Sequence, residues 1–294
     1  MLLLIPNISE GRDRETVGAV GRAYVSAGAR LLDTHIDADH NRSVHTLTVD
    51  EHALVPNVLL AGATEAAARI DITANDGLHP HVGALDVAPV VHLDPAARGS
   101  ACAAALSAAH LIGTQVQIPV FLYGLLAGGR TRHALRSGGP ANLQRRIGAR
   151  DLAPDFGPRA LHATAGATLV AARPPLVAFN LELAPGTPLA QAKEIAANVR
   201  EGGPRGLKGV RALGLELTRD DGLQLVQVTT NVEDHIATPL AALVEAISNE
   251  ADVVGAELVG LAPEAAFAGF PDALPVRNRR TVEEVLRSGP SLSS

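Results

Sequence analysis

The chain has 294 residues, enough for one large domain or two of ordinary size. Aromatic residues make up 2% of it, the formal net charge is −6 and no basic run is present, which excludes an ordinary nucleic-acid-binding protein. A single cysteine, Cys102, excludes an internal disulfide and a cysteine-based zinc site. No apolar stretch reaches the length of a membrane span, so we expect a cytoplasmic protein without membrane contact.

The first half of the chain predicts the order β-α-β-β-α-β. Asp13 is placed to cap the first helix and Gly28 to end it. The predicted strands span 2–5, 30–33, 43–49 and 84–93, and the predicted helices span 13–27 and 53–70. A loop is expected over residues 35–42. This order is that of the ferredoxin-like, or split βαβ, arrangement.

The second half predicts the same order again, with helices that begin at Pro188 and Pro239 and a tight turn at 219–222. Its predicted strands span 176–183, 210–218, 223–229 and 256–261. We therefore predict an α/β fold of the α+β sandwich kind, with two similar ferredoxin-like subdomains. The first is expected over residues 1–177 and the second over 178–294, with the boundary near 174–178.

A helix over 96–112, a strand over 116–123 and a long irregular region are predicted between the two halves. Gly128-Gly129, Gly138-Gly139-Pro140 and the segment 154–158 punctuate this region. Loops of such length in a compact domain are usually functional or disordered.

Two histidines on a loop that leads into an apolar strand provide the best chemical signal. His79 and His81 flank Pro80, which pushes the residue before it to extended geometry, and in an extended chain positions i and i+2 point to one side. His79 is suited to acid–base catalysis because the imidazole pKa is near neutral. A His-x-His metal pair, or two solvated loop histidines, would give the same pattern.

An acidic and histidine-rich segment precedes the predicted strand at 43–49. Asp37 and Asp39 are able to bind a cation or to orient an imidazole such as His40, and they are equally typical of turns. Asn41 and Arg42 offer donors that fit a carboxylate, although an exposed surface would carry the same residues.

Two further segments have the composition of ligand sites. Asn7, Ser9 and Glu10 lie between the first strand and the first helix, where free N–H groups suit anions, although Asn and Ser also serve as caps. The segment from Gly166 to Arg173 is rich in small residues, which permits close approach of a flat ligand to the backbone.

Several of these short sequence motifs, taken together, resemble those of the glutamate formiminotransferase family. They follow one another in the family's order from residue 1 to about residue 285. The motifs are Pro6-Asn7-Ile8-Ser9-Glu10-Gly11, Asn41-Arg42-Ser43-Val44, His79-Pro80-His81-Val82-Gly83-Ala84-Leu85-Asp86, Ala153-Pro154-Asp155-Phe156-Gly157-Pro158, Ala178-Phe179-Asn180, Thr230-Asn231 and Val254-Gly255 through Leu261.

The resemblance implies transfer of a formimino group from N-formimino-L-glutamate to N5 of tetrahydrofolate, the co-substrate, in histidine breakdown. It also implies two α/β subdomains whose sheets face each other across a central substrate groove, a homodimer, and no metal. The cyclodeaminase domain of vertebrate members has no counterpart in this chain. The choice between a formimino and a formyl donor is left open.

The resemblance also assigns roles to residues. The family's catalytic histidine falls on His79, while His81 is a neighbour whose role stays open. The expected substrate-binding residues are Asn7, Ser9, Glu10, Asp37, Asp39, Asn41, Arg42, Gly83 and Asp86. The expected folate-binding residues are His162, Ala163, Thr164, Ala165, Gly166, Ala167, Thr168, Arg173 and Asn180.

Two alternative functions remain at this point. A metal-dependent amidohydrolase would use His79 and His81 as ligands. The second alternative is a relative that binds folate without catalysis. It is considered because Ala165 stands where vertebrate members carry an aromatic residue.

Overall fold

The computed structural model describes residues 1–77, 79–218 and 224–288, and the chain divides into two compact units, residues 1–173 and 174–294. The turn predicted at 219–222 lies outside the described residues. Among the helices that are described, none has the length and apolar character needed to cross a bilayer.

The first unit contains a seven-stranded sheet and five helices in the residues described. The strands are β1 (Leu2–Leu4), β2 (Asn7–Ile8), β3 (Arg30–Asp37), β4 (Arg42–Thr48), β5 (Leu85–His92), β6 (Val120–Leu122) and β7 (Thr168–Arg173). The helices are α1 (Arg14–Ser26), α2 (Val55–Arg69), α3 (Arg98–Leu111), α4 (Arg132–Arg136) and α5 (Gly139–Gly148). The Asp13 side chain accepts a hydrogen bond from the N–H of Glu15 and caps α1, as predicted.

Antiparallel pairing places β4 between β3 and the β1–β2 segment, with β5 on the other side of that segment. This is the ferredoxin-like order predicted from the sequence. Two parallel strands, β7 and then β6, extend the sheet beyond β5. The segment after β5 therefore returns to the same sheet.

Alternate residues of β7 contribute to two separate cores on opposite faces of the sheet. Val170 and Ala172 pack with residues of α1, α2 and α3. Leu169 and Ala171 pack with Leu135 of α4 and Leu143 of α5. Helices α4 and α5 therefore cover part of the face that α1–α3 leave open.

The structure corrects three predictions in this unit. The segment 35–42 is not all loop, because β3 continues to Asp37 and only a short turn at 38–41 separates it from β4. The strand predicted over 116–123 is limited to β6, because residues 112–116 extend α3 as a turn of π-helix. The region between β6 and β7 is not all irregular, since it contains α4 and α5.

The second unit also has the predicted order. Its elements are β8 (Val177–Leu183), α6 (Leu189–Val199), β9 (Val210–Thr218), β10 (Gln224–Val232), α7 (Leu240–Ser248), β11 (Val253–Val259), β12 (Val276–Arg277) and α8 (Val282–Ser288). The strands lie in the order β12-β11-β8-β10-β9, and the pairs among β8 to β11 are antiparallel. The predicted α/β fold with two ferredoxin-like subdomains is confirmed, and the facing of the two sheets stays a prediction.

Candidate active site

The loop that carries His79 is held at both ends by Ser9. The Ser9 hydroxyl donates to the carbonyl of Gly83 over 2.7 Å, and the Ser9 carbonyl accepts from the side chain of Asn75 over 2.9 Å. Asn75 in turn accepts from the N–H of Gly77. Ser9 is 4% exposed and its bond to Gly83 is buried, so this bond is shielded from water and helps to fix the loop on the sheet.

The same loop lies directly against the segment predicted to bind folate. The N–H of Ala84 donates to Ala165 and the N–H of Ala167 donates to Val82, each over 2.9 Å. A Cβ on Gly83 would fall 1.8 Å from the carbonyl oxygen of Ala167, so glycine is required at this close approach.

The turn between β3 and β4 places an Asp–His pair beside the loop. Asn41 occupies the left-handed region with φ +43°, and its side-chain oxygen accepts from the N–H of Gly11. Within the turn, the Nδ1–H of His40 donates to Asp37 over 2.7 Å, and the His40 N–H donates to the same carboxylate over 2.9 Å. Burial acts to raise the pKa of Asp37, but these hydrogen bonds and nearby positive charge lower it to about 2.

The rings of His40 and His79 lie edge to face. Their centroids are 6.4 Å apart and their planes meet at 68°. The Asp37–His40 pair therefore borders the imidazole that the sequence marked as the acid–base group.

A β-bulge positions a carboxylate at the start of β5. Ile8 of β2 pairs with Leu85 and Asn7 pairs with Val87, so Asp86 is an extra residue without a partner on β2. Asp86 accepts from the N–H of Val82 over 2.8 Å and forms an ion pair with Arg136 of α4. This buried pair ties α4 to the strand behind the loop.

Positive charge surrounds His79. Burial lowers its pKa well below the usual value, and Arg42, Arg136, His40 and Arg132 act in the same direction. The imidazole is therefore neutral at neutral pH and able to accept a proton.

Arg42 and Arg136 each bury an Nε–H that has no hydrogen-bond partner among the described residues. Burial lowers the pKa of Arg42, Arg136 and Arg132 act with it, and Asp37 and Asp86 oppose it. Three arginines face two carboxylates in this cluster, which leaves one positive charge. Unpaired buried donors and a surplus of positive charge suit a bound carboxylate.

Other predicted substrate residues have structural partners. Asn7 lies in β2 between β4 and β5. Glu10 accepts from the N–H groups of Arg12 and Asp13 just before α1. Asp39 lies in the turn next to His40.

The predicted folate segment forms a tight turn before β7. His162 pairs with Gly166, and its Nδ1 accepts from the N–H of Ala165 over 3.0 Å. Ala165 is 1% exposed and packs in the core with α1–α3, so its side chain is not presented to a ligand. Ala163 and Thr164 lie within this turn, and the buried residues Ala167 and Thr168 lead into β7.

The remaining predicted residues are spread over both units. Arg173 ends β7 in the first unit, and Asn180 lies in β8 of the second, where its side chain donates to Glu257 over 3.4 Å. The Nδ1–H of His81 donates to the backbone carbonyl of His79 over 3.2 Å. Among the described residues, no three His, Cys, Asp or Glu side chains converge to hold a metal ion.

The sequence analysis missed Arg132 and Arg136. Both lie on α4, where the cation of Arg132 also stands 5.8 Å from the centre of the Tyr123 ring. A helix of five residues gives no periodic pattern, but three spaced arginines at 130, 132 and 136, between two pairs of glycines, are a signal for an anion site that the sequence does contain.

Two family models match the chain. The model of the formiminotransferase domain, N-terminal subdomain, matches residues 1–173, and that of the formiminotransferase domain matches residues 178–273.

Curated relatives match over most of the chain. Glutamate formimidoyltransferase of Streptococcus pyogenes serotype M1 is 35% identical over 272 residues, which cover 90% of this chain and 89% of that protein. The corresponding protein of Thermoplasma acidophilum is 33% identical, with coverage of 90% and 88%. Formimidoyltransferase-cyclodeaminase of Gallus gallus is 36% identical over 277 residues, and the chain spans about half the length of that relative and of its mammalian counterparts.

Proposed function

The chain belongs to the formiminotransferase family, and from its site we propose that it transfers the formimino group of N-formimino-L-glutamate to N5 of tetrahydrofolate. The products are 5-formiminotetrahydrofolate and L-glutamate. Relatives named glutamate formimidoyltransferase, matched over nearly their whole length, support this assignment.

The observation that carries the proposal is a partly buried, neutral imidazole next to a surplus of positive charge. N5 must lose a proton when it attacks the amidine carbon, and neutral His79 is the base that receives it. Both carboxylates of the glutamate part need donors, and Arg42 and Arg136 have buried N–H groups free for them.

The position of the folate segment supports the same reaction. Residues 162–167 contact the His79 loop through backbone hydrogen bonds, so a folate bound on this turn would bring N5 towards His79. Tetrahydrofolate is a co-substrate in this scheme, and no metal is part of it. The homodimer, the cytoplasmic location and the contribution of Asn180 stay predictions.

The test is turnover with defined substrates. Wild-type protein given N-formimino-L-glutamate and tetrahydrofolate should release glutamate, and His79→Gln should lose at least about 100-fold in kcat, the usual scale for a general base. His110→Gln is the matched control because His110 lies exposed at the end of α3. Absence of glutamate release by the wild type, or normal turnover by His79→Gln, would contradict the proposal.

The same protein preparations also decide which donor is used and test the alternative function of a metal-dependent amidohydrolase. Parallel assays with N-formyl-L-glutamate decide between formimino and formyl donors. Elemental analysis of the purified protein addresses the His79–His81 metal site, since stoichiometric zinc that is lost from both His79→Gln and His81→Gln would favour the amidohydrolase.

A further inference from the structure

We propose that His40, held by Asp37, is a second catalytic acid that protonates the departing glutamate nitrogen while His79 removes the N5 proton. This inference rests on the proposed function and divides its proton transfers between two imidazoles.

The orientation of His40 fits a proton donor. Its Nδ1–H is bound to Asp37, which leaves Nε2, on the opposite side of the ring, without a hydrogen-bond partner among the described residues. The His40 side chain is 11% exposed, so its ring is held by packing as well as by Asp37. Asp37 accepts from both the Nδ1–H and the backbone N–H, which fixes the ring and keeps Nδ1 protonated, so the acid form of His40 is the imidazolium, which carries its second proton on Nε2.

The surroundings give the two histidines opposite roles. His40 has a carboxylate partner, so a proton on its ring makes an ion pair with Asp37. His79 has no carboxylate partner in the described residues and lies near Arg42 and Arg136. Two adjacent titratable groups with contrasting surroundings are the usual basis for an acid and a base in one site.

The reaction requires both transfers. N5 attacks the carbon of the protonated amidine, the N5–C bond forms as the C=N π pair moves onto the terminal nitrogen, and His79 takes the proton from N5 of the resulting tetrahedral intermediate. The C–N bond to glutamate then breaks, and the electron pair stays on the glutamate nitrogen, which receives the Nε2 proton of His40. The remaining amino nitrogen re-forms the C=N bond, and the proton on His79 returns to His40 through solvent, so no other reactant is needed.

A donor whose leaving group needs no proton separates this role from a structural one. In the thioimidate analogue of the donor, sulfur replaces the leaving nitrogen and both carboxylates remain. A thiolate leaves far more easily than an unprotonated amine because its conjugate acid is much stronger. His40→Gln should lower kcat about 100-fold or more with N-formimino-L-glutamate and only a few-fold with the thioimidate. His79→Gln should lower kcat with both donors, because the N5 proton must leave in either case.

Asp37→Asn is the second variant, since it keeps the shape of the turn and removes the negative charge from the group that binds the Nδ1–H of His40. It should show a smaller loss, about tenfold, with the same preference for the thioimidate. Thermal unfolding followed by circular dichroism checks each variant for folding, and His110→Gln is the matched control. If His40→Gln fails to fold, Asp37→Asn carries the test.

Three outcomes are decisive. Equal losses with both donors would overturn the acid role of His40, and so would full turnover of folded His40→Gln or of Asp37→Asn with the natural donor. Failure of the wild type to release glutamate from N-formimino-L-glutamate would instead reject the proposed function, so the two failures are distinguishable.

Discussion

Gly77 lies so close to His40 that a Cβ at position 77 would be 2.5 Å from the His40 carbonyl oxygen. The same Cβ would be 2.6 Å from the Cβ of Asn41. The His79 loop therefore packs directly on the turn that carries Asp37 and His40, and the absence of a side chain at Gly77 sets how near the two histidines come.

Gly77→Ala should separate the two histidines. Contacts this short with backbone atoms force a shift, and overpacking of this kind typically costs about 1–3 kcal/mol of stability. We expect kcat for glutamate release to fall about tenfold or more, because a small misplacement of reacting groups has a large effect on rate. Steady-state kinetics and the thermal midpoint measure the two effects.

Gly99→Ala is the control for this substitution. Gly99 lies in α3, and a Cβ there meets no atom within 4 Å. Its kcat should equal that of the wild type, and its thermal midpoint should be unchanged or slightly higher because alanine favours a helix. An unchanged kcat in Gly77→Ala would show that the loop tolerates the shift.

The repeated βαββαβ order and the cap at Asp13 could be predicted because each depends on local periodicity or turn chemistry. The Asp86–Arg136 ion pair could not be predicted from the sequence. It joins residues 50 positions apart, and it requires a bulge in β5 and a five-residue helix, neither of which has a sequence pattern. The contact of His40 with His79 depends in the same way on how a turn packs against a distant loop.

Substrate binding should move the pKa of His79. In the free protein, burial lowers this pKa, and the positive charges of Arg42, Arg136, His40 and Arg132 add to the effect. The two carboxylates of a bound donor offset those charges, so the pKa should rise in the complex. Activity falls in acid when His79 is protonated, so the acid limb of kcat should lie at higher pH than that of kcat/KM.

The measurement is a pair of pH profiles between about pH 4 and 8. Arg42→Gln supplies the matched comparison: it removes one positive charge, so its acid limb of kcat/KM should move towards higher pH. Coincident limbs for kcat and kcat/KM in the wild type would argue against a charge effect of the substrate on His79.

Protonation of His45 should destabilise the first unit in mild acid. His45 is fully buried, its Nε2–H donates to the carbonyl of Val17 over 3.2 Å, and its ring lies 5.6 Å from that of Tyr24. Burial lowers the pKa of His45 from 6.5 to about 4 despite the opposing bond to Val17. The unfolded chain therefore binds the proton more tightly than the folded one, and stability is complete above about pH 6.5 and falls as the pH drops towards 4. The expected loss of unfolding free energy at pH 5 relative to pH 7.5 is about 2 kcal/mol from this residue.

Urea unfolding of wild type and of His45→Phe at both pH values tests this expected loss, because common contributions cancel in the difference and only the wild type should lose this increment. Equal losses in the two proteins would assign the acid sensitivity to other groups.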